Sequence, residues 1–166
     1  IGYTLSWSWR EFPDINGGAM FHPRYDRRHD VSVVLIADIS KRLSLTAAWV
    51  YGTGQAISLP ISWFLQVDPV EGANTNIIPV YTERNGFRMP AYHRGDLGLV
   101  YRFFPKWGES DLTLSIYNAY NRRNPYFIYY DLQQEEQFGI EVVTGFSARQ
   151  VALFPIIPSL TWNFKF

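Results

Sequence analysis

The last residues of the chain alternate strictly between large apolar and polar side chains. The apolar positions are Leu160, Trp162, Phe164 and Phe166, and the polar positions are Thr161, Asn163 and Lys165. Successive side chains of a β-strand point to opposite faces, so the pattern predicts a strand with one aromatic face and one polar face. A terminal segment of a soluble domain is usually frayed and polar. The ending therefore favours a strand that has apolar surroundings on one side.

The same period of two recurs in five earlier segments. In the first of them, Tyr3, Leu5 and Trp7 alternate with Thr4 and Ser6. The predicted strands cover residues 1–10, 28–40, 43–52, 92–103, 112–117 and 160–166. Strands of this kind, separated by turn-forming residues and without helical periodicity, predict an all-β chain of about six antiparallel strands.

The connections between these strands are alternately long and short. The short ones are Ser40–Lys41–Arg42 and residues 104–108. The long ones include an irregular segment over 53–89 with the hairpin-type pair Asn85-Gly86, and a solvated acidic loop over 133–137. Pro155 and Pro158 cannot donate to a ladder, so they mark a bulge or the beginning of the last strand. Bacterial outer-membrane barrels combine short periplasmic turns with long external loops and strands of about 10 residues.

Composition narrows the classes of protein further. Aromatic residues make up 17% of the chain, and such residues collect at both rims of a membrane barrel. The net charge is zero and no basic stripe occurs, so a nucleic-acid partner is not expected. No uninterrupted run of 18 apolar residues exists, which excludes a transmembrane helix. The chain has no Cys, so disulfide scaffolds and thiolate metal sites are excluded.

A soluble β-sandwich would also alternate, because one face of each of its sheets is buried. The alternating loop lengths, the aromatics near strand ends and the aromatic terminus together favour a membrane β-barrel. Six strands are too few, since the smallest bacterial barrels have about eight. The chain begins at Ile1 without Met. We therefore expect further strands upstream of Ile1, and the alternative is completion of the barrel by other copies.

Several segments carry a resemblance to a known family. They are RYDRRHDVSVV (24–34), WVYGTG (49–54), ERNGFRMPAYHRGDLGL (83–99), SIYNAYNRRNPY (115–126) and FPIIPSLTWNFKF (154–166). In the same order and spacing, they resemble the last strands of TonB-dependent outer-membrane receptors that carry N-terminal carboxypeptidase-like regulatory and plug domains. One departure is Gly95, where a larger apolar residue is expected; the glycine is predicted to loosen strand packing.

The resemblance implies that residues 1–166 are the C-terminal part of a barrel of about 22 strands. It implies active import of a scarce ligand across the outer membrane of a Gram-negative bacterium, with the C-terminus in the periplasm. Energy would come through TonB, which binds a segment near the N-terminus of such receptors. Neither that segment nor the plug is in this sequence. Leu160, Trp162, Phe164 and Phe166 match the signal that the barrel-assembly machinery recognises. Outer-membrane lipid is the implied surrounding.

No catalytic constellation is found, so we do not expect an enzyme. His22, His29 and His93 lack the three or four convergent ligands of a metal site, and no cofactor is expected. Two groups of charges are predicted to pair across strands near the outer rim. One is Asp26, Arg27, Arg28 and Asp30, and the other is Glu83, Arg84, Arg94 and Asp96. The alternative is a role in holding the plug or a ligand. Glu135 and Glu136 are adjacent and would point oppositely in a strand, which makes a poor acid–base pair.

Ligand contact is better sought among aromatic residues of the long loops. The candidates are Trp63, Phe64, Tyr81, Phe87, Tyr126, Phe127, Tyr129 and Tyr130. They could stack on a sugar or cap a pocket, but packing within the loops or an outer aromatic girdle is the favoured interpretation. Two other functions stay open beside the importer: a passive pore, and a barrel scaffold that docks a surface lipoprotein or a secretion complex.

Overall fold

The computed structural model describes residues 1–67, 75–106, 108–137 and 140–165, and these form an all-β structure. Within these ranges there are twelve strands and one short 3₁₀ turn, at Asn16–Gly18. The twelve strands are β1 (Gly2–Leu5), β2 (His29–Asp38), β3 (Leu43–Gly52), β4 (Ala56–Ile57), β5 (Ser62–Val67), β6 (Thr75–Val80), β7 (Phe87–Arg88), β8 (Tyr92–Phe103), β9 (Glu109–Tyr117), β10 (Phe127–Gln137), β11 (Ile140–Val151) and β12 (Ile157–Lys165).

A six-stranded antiparallel sheet is the main element, with the strand order β1-β2-β3-β8-β9-β12. Its six strands are the six that the alternation predicts, which confirms the antiparallel all-β prediction. Every strand lies beside the next of the six along the chain, so the sheet is a simple up-and-down meander. β1 and β12 stand at the two ends of the order, and the sheet is therefore open rather than closed into a barrel.

The first strand is much shorter than the predicted 1–10. β1 ends at Leu5, and the residues beyond it bond to a loop. The Ser6 amide donates to the carbonyl of Arg28 at 3.1 Å. Ser6 Oγ donates to the carbonyl of Arg27 at 2.8 Å, and the Ser8 amide donates to the Asp26 carboxylate at 2.8 Å. An acidic side chain thus takes the hydrogen bond that a strand neighbour would receive, and alternation alone could not reveal it.

The last strand begins at Ile157 and pairs without interruption with β9. Pro158 lies opposite Ile116 in a continuous register, so no bulge forms there. Of the two predicted roles for the prolines, the beginning of the strand is the correct one for Pro158. β12 stands at an end of the sheet order, where a missing backbone donor need not break a ladder.

The segment over 53–89 is not irregular throughout. It contains β4 paired with β7 and the hairpin β5–β6, and residues 68–74 lie outside the described part. Asn85 adopts the left-handed conformation with φ of 55°, as a turn residue does. The pair Asn85-Gly86 precedes β7 rather than joining two paired strands, so the predicted hairpin turn is wrong.

The predicted acidic loop over 133–137 is also wrong. These residues belong to β10, which forms a long hairpin with β11, and residues 138–139 lie outside the described part. Tyr129 pairs with Arg149 in this register, and Arg149 bonds the carboxylate of Asp131 at 2.8 Å. Cross-strand pairing of this kind holds a polar segment extended. Glu135 and Glu136 are therefore strand residues.

The chain divides into two compact units. One comprises residues 1–3, 31–51 and 91–166, and the other comprises residues 4–30 and 52–90. The buried apolar residues of the described chain, Phe21, Ala56 and Met89, all belong to the second unit. The first unit holds most of the sheet and, in its described part, buries no apolar side chain fully. No helix in the described ranges is long and apolar enough to cross a membrane.

Candidate functional site

One face of the sheet is apolar in register across three strands. Leu99 of β8 pairs with Leu114 of β9, which pairs with Leu160 of β12. The next row on the same face joins one residue of each strand in the same way, Tyr101, Leu112 and Trp162. Because register partners share a face, these rows form one continuous apolar surface.

The opposite face carries a connected series of polar side chains over five strands. Ser44 Oγ donates to Asp38 Oδ1, and Arg102 Nη1 donates to Ser44 Oγ at 2.7 Å. Arg102 pairs in register with Asp111, and Asn163 Nδ2 donates to Asp111 Oδ1 at 2.9 Å. A further row on this face consists of Val100, Thr113 and Thr161. The sheet therefore separates polar from apolar side chains along nearly its whole width.

The apolar face is exposed rather than packed against another layer. Leu114, Leu160, Trp162 and Phe164 are 44%, 67%, 60% and 53% exposed. A contiguous exposed apolar surface of this kind marks an interaction site or a membrane-facing side. The separation has exceptions: Val100 of β8 lies on the polar face, and in β2 Val34 and Ile36 alternate with Leu35 and are exposed on that face.

The residues predicted as an assembly signal lie together on the edge strand. Leu160, Trp162 and Phe164 all project to the apolar face of β12, and the rings of Trp162 and Phe164 are 5.5 Å apart. Trp162 Nε1 donates to Ser110 Oγ at 2.8 Å, which satisfies the only polar atom of the indole. Phe166 lies outside the described residues, as does Trp107 of the predicted turn over 104–108.

A row of rings crosses the apolar face near one end of β3 and β8. Trp49 stacks on Tyr51 at 6.1 Å, and Tyr51 stacks on His93 at 6.5 Å. His93 Nδ1 lies 2.9 Å from the hydroxyl of Tyr120. A Cβ on Gly95 would meet Tyr120 Cε1 at 2.7 Å. The prediction that this glycine loosens the packing is wrong: it admits an aromatic ring that a larger residue would displace.

In the second unit, the buried carboxylate of Asp26 is the centre of a polar cluster. Asp26 is 1% exposed and pairs with Arg88, which also donates to the carbonyl of Gly54 at 3.3 Å. His22 Nδ1 lies 3.3 Å from Asp26 Oδ2 and 3.0 Å from the carbonyl of Ser8. Burial by itself raises the pKa of Asp26. The bonds from Arg88 and Ser8 and the charges of Arg88 and His22 outweigh it, so the pKa lies below its ordinary value.

The other predicted charge pairs are only partly correct. Arg27 pairs with Asp30 at 3.5 Å within one segment, and both side chains are exposed. Arg28 instead lies over the ring of Trp7, with 5.4 Å between the guanidinium carbon and the ring centroid. His29 donates its amide to Thr53 Oγ1.

The second predicted group of charges, Glu83, Arg84, Arg94 and Asp96, is divided between the two units. Arg94 and Asp96 pair with each other at 2.9 Å along β8. Glu83 and Arg84 lie in a turn of the other unit, where the Arg84 guanidinium carbon is 5.5 Å from the ring centroid of Phe21. Pairing across strands is therefore wrong for the described contacts of these two groups, because their acidic partners come from the same strand or from a loop.

The predicted ligand-contact aromatics are divided between the two units. Trp63, Phe64, Tyr81 and Phe87 belong to the second unit, and Tyr126, Phe127, Tyr129 and Tyr130 belong to the first. Phe64, Tyr81 and Phe87 are exposed and do not form a ring cluster in the described contacts. Tyr126, Phe127 and Tyr129 form a chain of ring contacts at 5.7 and 6.0 Å.

Sequence reasoning missed Asn118, which is fully buried. Its Nδ2 donates to the carbonyls of Arg122 and Phe154, and its Oδ1 accepts from the Arg122 amide. Asn118 and Asn121 both have positive φ, at 53° and 52°. The signal available was the Asn-rich run after β9, because Asn tolerates this conformation and bonds nearby backbone groups. It is a turn-locking residue that fixes the chain between β9 and β10.

No protein-family model, no curated protein and no solved structure matches this chain. Within the described residues, no group of three or more His, Cys, Asp or Glu side chains could hold a metal ion. The two-faced sheet is thus the feature on which a functional argument can rest.

Proposed function

We propose that this chain is part of the wall of an outer-membrane β-barrel, with the apolar face of the sheet toward lipid and the polar face toward a wet lumen. The single observation that carries the proposal is the opposition of the Leu99–Leu114–Leu160 row to the Arg102–Asp111–Asn163 row on the same three strands. A membrane barrel requires this combination, because lipid cannot solvate charges and a lumen can.

The packing of the sheet supports the same proposal. A soluble sandwich would bury its apolar face under a second sheet. Here Leu160, Trp162 and Phe164 stay more than half exposed, and burying them would need a partner layer of about the same width. Lipid acyl chains supply such a layer along the whole face. The indole N–H of Trp162 has an internal acceptor, as a lipid-facing donor should.

On this basis we propose the barrel of a TonB-dependent transporter that imports a scarce ligand, the class that the sequence segments resemble. Its partners would be outer-membrane lipid, TonB through an N-terminal segment, and the barrel-assembly machinery through β12. A surface lipoprotein is a further proposed partner.

Residues 1–166 contain no Cys, so a cysteine introduced among them is the one labelling site in this part of the chain and allows a direct test of the membrane placement. Single cysteines replace Leu114 on one face and Thr113 on the other, in the complete protein in lipid vesicles. A spin label at 114 should be accessible to oxygen, which partitions into lipid. A spin label at 113 should be accessible to a water-soluble nickel chelate. Equal accessibility of both labels to the water-soluble reagent would reject the membrane wall.

Transport is tested separately from placement. We expect uptake by cells to stop when TonB is deleted or the proton-motive force is collapsed. Steady ion conductance of the purified protein in planar bilayers, with uptake independent of TonB, would instead identify a passive pore.

A further inference from the structure

We propose that a pocket on the polar face of the sheet binds a small carboxylate with an aromatic or similarly flat apolar body. The pocket has a volume of about 230 Å³ and belongs to one compact unit. Its lining includes Tyr92, Arg94, Tyr117, Tyr126, Leu153 and Phe154. The proposal goes beyond the proposed transport function and does not depend on it, because the pocket geometry is the same whether or not lipid covers the opposite face.

The floor of the pocket is a guanidinium held rigidly by phenols and a carboxylate. Arg94 Nη1 donates to Tyr117 Oη at 2.7 Å and to Tyr92 Oη at 3.1 Å, while Nε and Nη2 bond Asp96. The guanidinium carbon also lies 4.1 Å from the ring centroid of Tyr117. A side chain fixed in this way loses little conformational freedom when a ligand binds.

This arrangement offers donors and few acceptors. A guanidinium has five N–H groups, and the contacts above use four of them, so one on Nη2 has no acceptor in the described residues. Tyr92 and Tyr117 each accept from Arg94 through the phenol oxygen. The Asn124 side chain, also in the lining, is taken up by His93 and Arg122. A ligand is therefore recognised through its acceptor oxygens.

The local charge favours an anion over a neutral acceptor. Asp96 balances Arg94, but the guanidinium of Arg122 donates only to Asn124 Oδ1 and to the carbonyl of Ala91 among its described contacts, and both are neutral. One positive charge thus remains uncompensated beside the pocket. Tyr92 and Tyr117 also hydrogen-bond to each other, which leaves one phenol O–H beside the free guanidinium N–H. A carboxylate suits these two donors, and charge-assisted bonds of this kind are stronger than neutral ones.

The walls favour a flat apolar body. Phe154 meets Tyr117 edge-on at 6.2 Å, and Leu153 and the exposed ring of Tyr126 complete the lining. Sugars need donors and acceptors around the whole ring, whereas these walls offer mostly ring faces and hydrocarbon. An aromatic carboxylate places its charge at Arg94 and its ring between these side chains.

The test is a ¹⁹F NMR titration of 4-fluorobenzoate into the complete protein in detergent micelles, with neutral 4-fluorobenzamide as the matched probe. We expect saturable binding of the benzoate. The amide should bind at least about tenfold more weakly, because the charge-assisted bond is lost. Tyr126→Ala should weaken benzoate binding by about three- to tenfold, while Tyr129→Ala, which removes an exposed tyrosine outside the pocket, should leave it unchanged.

Two further variants test the guanidinium and the space in the pocket, and the second of them leaves Arg94 in place. Arg94→Gln should abolish the preference for benzoate over benzamide. Leu153→Trp fills the pocket from its exposed side and should block both probes without touching the polar floor. Equal affinity for the two probes, or equal effects of Tyr126→Ala and Tyr129→Ala, would overturn the proposal. The titration needs no energy source and no second membrane, so its failure is distinct from a failure of the transport function.

Discussion

Trp162 of the edge strand donates its indole N–H to the hydroxyl of Ser110 on the neighbouring strand, at 2.8 Å. Ser110 is buried, and its hydroxyl donates in turn to the backbone carbonyl of Asn163 at 2.8 Å. A single hydroxyl therefore fastens both a side chain and the backbone of β12 to β9. This relay joins the aromatic end of the chain to the sheet by polar bonds, although the surface around it is apolar.

We expect Ser110→Ala to lower the free energy of unfolding by about 1–2 kcal/mol, because the indole N–H and the Asn163 carbonyl both lose a partner. Trp162→Phe removes the other end of the relay. A double-mutant cycle, measured by reversible urea unfolding of the lipid-inserted protein, should give a coupling of about 0.5–1.5 kcal/mol. Strictly additive effects would mean that the hydroxyl and the indole do not act together.

Charge on the two faces of β9 should have unequal consequences. Leu114→Arg is expected to cost about 2–4 kcal/mol if the residue lies near the bilayer midplane, because lipid cannot solvate the guanidinium. Thr113→Arg, one residue away on the polar face, should cost much less. The measurement is unfolding in vesicles by tryptophan fluorescence. Similar costs for the two variants would contradict a lipid-facing sheet.

Acid should weaken the second unit through Asp26. The pKa of Asp26 is lowered in the folded protein, so its ionised form stabilises the fold above the ordinary Asp pKa of about 4. This stabilisation is lost as the pH falls through the lower folded pKa. We expect amide hydrogen exchange around residues 8–26 to lose protection in that range. Unchanged protection between pH 5 and pH 2 (about the span of the titration) would contradict it.

Asp26→Asn is the matched variant for the acid effect. This variant should remove the pH dependence of the protection. It should also lower the free energy of unfolding at neutral pH by about 2–4 kcal/mol, since Arg88 loses its charged partner. The expected loss is smaller than for a fully buried pair because the Arg88 side chain is 30% exposed. Asp30→Asn affects only an exposed pair with Arg27 and serves as the control, with an expected change within about 0.5 kcal/mol.

Gly95 should not tolerate a side chain while Tyr120 is present. A Cβ there would stand 2.7 Å from Tyr120 Cε1, so Gly95→Ala is expected to cost about 1–3 kcal/mol by overpacking. In a Tyr120→Ala background the same change should be nearly neutral. Unfolding measurements on the four proteins decide this. A cost that persists without Tyr120 would place the constraint in the backbone instead.

The strands of the main sheet were predictable because each carries its own signal. A period of two in β3, β8 and β12 needs no knowledge of distant residues, and the short turns between sheet strands are equally local. Two pairs of neighbours, β2–β3 and β8–β9, agree with their short turns, because antiparallel strands joined in this way lie side by side. The same argument explains why both faces of the sheet could be described from the sequence.

Other features depended on residues distant in sequence. The end of β1 was set by Asp26, which takes the Ser8 amide, and the packing at Gly95 was set by Tyr120. The acidic stretch of β10 became a strand because β11 supplies its backbone partners. Composition marked that stretch as a loop, since it contains no information about a partner strand.

The sequence alone determined that this chain is a two-faced antiparallel sheet, because alternation fixes the side to which each residue of a strand points. Only the tertiary structure decided which residues of neighbouring strands meet. It joined Asp38, Ser44, Arg102, Asp111 and Asn163 into one polar series and placed Arg94 between two tyrosines. Register and loop closure are properties of the folded chain as a whole, because they depend on hydrogen bonds between residues far apart in sequence.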